Sequence, residues 1–206
     1  MSARRLILAG LCVLNSVFVF AQDRGSLYRD PESAYSSGQA RLRSGDLTGA
    51  QTALEQAVAA APNNAKYLSA LGMVYLRAGQ GESAAKTYSH MCALIESEYG
   101  EASPRLWPCH TLWANALMMA RDVPGATEKF RSAATMAMNQ RPQPTVDCLM
   151  TLYSLAAALN ATGRMSEAVP LYEQLLADTP SSSPYRPEVE DAVRRIRAGR
   201  MPARVM

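Results

Sequence analysis

Small and large apolar residues recur along this chain in short runs with helical spacing. Leu68, Leu71, Gly72 and Tyr75 stand three, one and three residues apart, which places them on one face of a helix. Ala84 and Tyr88, four apart, form the facing stripe of a second helix, and Ala78-Gly79-Gln80-Gly81 turns the chain between the two. Gly72 and Ala84 are small where these helices must approach, so a larger residue there is expected to cost about 1–3 kcal/mol by overpacking. Such a helical hairpin carries too much apolar surface to be stable alone, and the chain repeats it. Gly38, Gly45, Ala50, Leu54, Ala57 and Pro62 stand 34 residues before Gly72, Gly79, Ala84, Tyr88, Met91 and Glu96. Two further copies follow at shifts of 42: Trp113-Ala114, Leu117, Ala126, Phe130 and Ala133, then Leu155-Ala156, Leu159, Gly163, Ala168, Tyr172, Leu175 and Pro180.

This succession of a bulky residue, Leu-Gly, an aromatic, then Ala, an aromatic and Pro resembles the tetratricopeptide repeat, whose period is 34 residues. The resemblance covers roughly residues 31–182 and implies an all-α fold, an α-solenoid of four helix pairs over residues 31–64, 65–98, 107–140 and 149–182. Repeat one has Arg41 where the aromatic belongs, as suits an end repeat with a polar outer face. Repeat three has Arg121-Asp122 in place of the turn glycine. The two longer spacings insert Tyr99 to Leu106 and Arg141 to Cys148, each with a turn signal, and resemble the longer repeats of kinesin light chains and bacterial periplasmic proteins of this class. About one extra turn on each flanking helix would absorb the additional residues.

The ends read differently. Arg4-Arg5, the apolar run Leu6 to Phe20 and the compact residues of Val19-Phe20-Ala21 predict an export signal over residues 1–21, cleaved before Gln22. The apolar run is shorter than the ~20 residues of a membrane span, and Leu11 before Cys12 does not fit a lipoprotein signal. Residues 22–30 read as a flexible leader. Within 183–206, Val189, Ala192, Val193 and Ile196 make an amphipathic stripe, predicting a capping helix over Pro187–Ala198 and a disordered tail from Gly199. Arg4 and Arg5 account for two of the 21 Lys and Arg, and 18 Asp and Glu oppose the rest. Without the signal the chain is nearly neutral, which excludes a nucleic-acid binder with a concentrated basic face. Arginine outnumbers lysine 18 to 3, which fits a GC-rich bacterium and hence a periplasmic location.

Candidate chemistry is sparse. No phosphate-binding Gly-Lys loop, metalloprotease helix or nucleophile elbow is present, so neither an enzymatic activity, a small-molecule substrate nor a cofactor is expected. If the helices bearing Cys92 and Cys109 are antiparallel neighbours about Gly100–Glu101, the two cysteines lie opposite one another. They then form a disulfide or remain two small buried thiols; we adopt the disulfide. His90 and Cys92 point to nearly opposite sides of one helix, which argues against a zinc site with Cys109 and His110.

The resemblance supplies the functional expectation. In such repeats a second stripe on each first helix lines a concave groove that takes a partner's helix or extended segment. Here the stripe holds Tyr35, Gln39 and Arg43; Ser69, Met73, Leu76 and Arg77; Thr111, Asn115, Met118 and Met119; and Tyr153 and Asn160. Met118 and the neighbouring Ala157 also fit core positions at repeat junctions. Methionine's flexible side chain suits an adaptable protein-binding surface. Asn115 alone matches the lysines, asparagines and arginine with which some tetratricopeptide domains grip a chaperone's C-terminal carboxylate, so a bare acidic tail is disfavoured. Together with the export signal, the resemblance therefore implies an exported adaptor for a protein partner, serving assembly of cell-envelope machinery such as a pilus, secretin or export system, with only indirect membrane contact. The alternatives are a structural subunit built by repeat stacking and a metal-dependent enzyme or sensor.

Overall fold

The computed structural model describes residues 30–139, 146–184 and 186–198. The predicted export signal, all of the predicted leader before Asp30, the first part of the second insertion and the tail from Gly199 lie outside the described residues. Within them the chain forms α1 (Pro31–Ser44), α2 (Leu47–Ala60), α3 (Ala65–Arg77), α4 (Gly81–Tyr99), α5 (Leu106–Met119), α6 (Val123–Asn139), α7 (Val146–Ala161), α8 (Met165–Asp178) and α9 (Arg186–Arg197). Each helix packs on the next along the chain.

Local chemistry sets the boundaries. Asp30, Asp46, Asn64 and Asp122 accept backbone N–H bonds from the first turns of α1, α2, α3 and α6, satisfying donors that a helix start leaves open. The four turns inside the hairpins share one geometry. Asp46 N–H donates to Arg41 O, Gln80 to Tyr75 O, Asp122 to Leu117 O and Arg164 to Leu159 O, which closes each first helix with a left-handed residue. Gly45, Gly79 and Gly163 hold that residue at φ between 73° and 83°, and in repeat three Arg121 adopts φ 64°. Loss of the turn glycine therefore leaves the turn unchanged and strains Arg121 instead.

The core is a row of helix–helix contacts. Ala50 and Leu54 pack with Leu71 and Val74; Ala84 and Tyr88 with Leu68 and Ala116; Ala126 and Phe130 with Leu152 and Leu155. Gly72 sits against the ring of Tyr88, where an added Cβ would lie 2.6 Å from Cζ. The first insertion lengthens α4 to 19 residues against 14 in α2, and its loop is fastened by the bond between Cys92 and Cys109. These sulfurs join α4 to α5 across the junction of repeats two and three, with a Cα–Cα distance of 5.7 Å. Cys148, on α7, is a buried thiol 3.8 Å from the carbonyl of Ala137.

α9 closes the C-terminal end. Val189 and Val193 enter the cluster of α7 and α8, while Arg186 Nη1 donates to the carbonyls of Leu176 and Thr179. Those carbonyls belong to the end of α8 and to the residue just beyond it, where a cation is favoured by the helix dipole.

Candidate partner-binding face

The first helices lie side by side. Tyr35 of α1 stacks on Tyr67 of α3 at 5.2 Å between ring centroids, and Thr111 Oγ1 of α5 lies 3.3 Å from Thr151 Oγ1 of α7. The predicted stripe residues divide by environment. Arg43, Met73, Arg77, Asn115 and Met119 are exposed, with Met73 and Met119 at 41% and 44%, high for long apolar side chains. Gln39, Ser69 and Leu76 are half-buried, and Leu76 also packs on the α4–α5 cluster.

Several stripe residues serve the fold as well. Gln39 Nε2 donates to Tyr35 Oη, and the ammonium of Lys66 lies 4.2 Å above the Tyr35 ring. Thr111 Oγ1 donates to the carbonyl of Trp107. Met118 is partly buried against the α7–α8 cluster, so its side chain contributes to a repeat junction. Asn160 is only 5% exposed, and its buried Oδ1 has no hydrogen-bond partner among the described residues. Its amide is thus withdrawn from the surface it was expected to serve.

At α7 the stripe leads into a cavity. Leu149, Met150 and Tyr153 of α7, Leu175 of α8, and Glu188 and Val189 of α9 are among the residues enclosing about 230 Å³. Met150, 38% exposed, stands at its rim. Sequence reading missed Met150, although it precedes Tyr153 by three and so shares its helix face. The Tyr153 ring meets Tyr172 edge-on at 5.7 Å. Burial first, and then the nearby Glu188 carboxylate, push the Tyr153 phenol above its ordinary pKa, so the hydroxyl stays protonated at neutral pH.

The histidines and cysteines do not form a centre. His110 Nδ1 lies 2.9 Å from Ser132 Oγ, His90 is exposed, and both Cys92 and Cys109 are engaged in their bond. Among the described residues no three His, Cys, Asp or Glu side chains converge, and no helix is long and apolar enough to cross a membrane.

Models of the tetratricopeptide repeat match residues 35–95 and 151–183. The chain is a tetratricopeptide-repeat protein. Its fold is similar to a Podosopora anserina structure of nearly identical TPR-like repeats named for kinesin light chain, at TM-score 0.71 and 20% identity, covering 83% of this chain and 88% of that one. It is also similar to the MamA protein (TM-score 0.61, 17% identity, 85% and 98% covered) and to BtubC from P. vanneervenii (0.60, 18%, 89% and 72%). No curated protein matches the sequence significantly. A tetratricopeptide solenoid is typically a non-enzymatic scaffold for protein–protein interaction, and these repeats support that general role here.

Proposed function

We infer that this repeat protein is an exported adaptor, periplasmic in a bacterium, that holds an apolar helix or extended segment of a protein partner across its first helices. The observation that carries the reading is the exposure of Met73 and Met119 on adjacent repeats, among Arg43, Arg77 and Asn115. Thioethers exposed this far leave apolar surface that a partner can cover, and the arginines and amide can hold the polar groups of its backbone. The form of the first 21 residues and the bond between Cys92 and Cys109 both support export, since disulfides persist in oxidising compartments. An envelope assembly such as a pilus, secretin or export system is the setting in which such an adaptor would act.

The decisive variant is Met73→Glu with Met119→Glu. Both side chains are exposed, so folding should be retained, whereas Met118→Glu would place a charge against the α7–α8 cluster. Crosslinking in the native envelope should show partner recovery reduced about tenfold or more, the scale of losing central contacts in an interface. Undiminished recovery with unchanged helicity would reject the groove.

A further inference from the structure

The cavity at the end of the stripe combines a largely apolar lining with one charged side chain, that of Glu188. Leu149, Leu175 and Val189 are buried in its walls, and Met150 and Tyr153 lead into it from the stripe on α7. Tyr153 Oη makes no hydrogen bond among the described residues, and it is not wholly buried, so it remains open to a ligand. The charged groups acting on it are Glu188, Asp191 and Arg195, and Arg186 lies two residues before Glu188 on α9. Arg195 Nε pairs with Asp191 Oδ2 at 2.6 Å, and Arg186 Nε pairs with Glu190 Oε1 at 2.8 Å while its Nη1 serves two carbonyls. Asp191 is also approached by Arg194 Nη1 at 4.0 Å, whereas Glu188 has no ion pair among the described residues and is the charged side chain in the cavity lining. An exposed carboxylate beside an apolar hollow favours a cation attached to an apolar group and repels an anion.

We propose that this cavity anchors the partner segment by one bulky apolar side chain, with Glu188 selecting a lysine or arginine beside it. The volume suits one large side chain, and continuity with Met150 and Tyr153 makes it the terminus of the same binding face. The inference rests on the groove reading, but its test does not need the partner.

The probes are 2-phenylethylamine and phenylacetate, which share a ring and differ in the sign of their charge. The full chain is labelled with ¹³C at the methionine methyls, and the Met150 resonance is assigned by Met150→Leu. The amine should shift the Met150 signal and leave Met73 and Met119 unmoved, and should bind about fivefold more tightly than the acid. Glu188→Gln, at an exposed position, should abolish that preference, and Glu188→Lys should invert it. Equal binding of both probes, or no movement of Met150 at millimolar amine, would overturn the proposal. So would an amine response seen only after residues 199–206 are removed, because Arg204-Val205 of the chain itself carries the same chemistry. Absence of the amine preference together with loss of partner recovery in the Met73→Glu, Met119→Glu variant rejects the pocket alone; intact recovery in that variant rejects the groove whatever the probes do.

Discussion

Gly72→Ala tests the packing logic of the repeats at its tightest point. Two effects oppose one another. Alanine is about 1 kcal/mol better than glycine in a helix interior, and Gly72 lies in the middle of α3 with no unusual backbone angle to protect. The new methyl, however, would lie 2.6 Å from Tyr88 Cζ and 2.7 Å from Cε1. Tyr88 is 1% exposed, so the ring has little room to retreat. Overpacking of a filled core costs about 1–3 kcal/mol, so after the propensity gain the clash should leave a net loss of up to about 2 kcal/mol. Urea unfolding followed by circular dichroism measures this directly. A double-mutant cycle isolates the cause: Tyr88→Leu alone destabilises by a few kcal/mol, but in its background Gly72→Ala should become neutral or stabilising. A stabilised single variant, or a coupling below about 0.5 kcal/mol, would refute the close approach as the reason for glycine here.

Three other outcomes follow from the same structure. Arg121→Gly should raise stability by about 1 kcal/mol, since it relieves a left-handed arginine, though glycine's freer unfolded chain takes back part of the gain; an unchanged urea midpoint would show that the turn carries no strain. Replacing Cys92 and Cys109 by serine opens a closure of 17 residues and should lower the unfolding free energy by about 3 kcal/mol, while a loss below about 1 kcal/mol would mean that the α4–α5 packing alone holds the junction. Burial first, and Lys129 second, hold the His110 imidazole below its ordinary pKa of 6.5. The unfolded chain therefore binds the proton more readily, so stability should fall as pH drops below about 6.5 and level off once the folded-state pKa is passed. His110→Asn should flatten that part of the pH–stability curve, and an unchanged slope would exclude His110 as its source.

The helical hairpins, their turns and their stacking order were legible in the sequence because each depends on residues close together in the chain. Leu71-Gly72 against Tyr88, and Gly45, Gly79 and Gly163 in the turns, repeat because every copy solves the same local packing problem. Arg121 departs from that pattern in sequence but not in backbone, since the bonds from Arg121 and Asp122 to Met118 and Leu117 impose the turn regardless of the side chain. The site was less legible. Periodicity identifies a stripe on each first helix but cannot say how deeply the next helix covers it. Exposure of Met73 and Met119, burial of Asn160 and the double duty of Met118 all depend on neighbouring repeats.

The sequence by itself determined an all-helical repeat architecture, its registers and the polar–apolar character of α9, because these follow from side-chain spacing along each helix. Spacing placed Cys92 opposite Cys109 only on the condition that their helices pack as antiparallel neighbours, and left two free thiols open; tertiary structure supplied that packing and the bond. It also decided that α9 roofs a cavity rather than sealing it, leaving Glu188 beside Met150 and Tyr153. Both results depend on the relative placement of whole helices, which residue spacing does not specify.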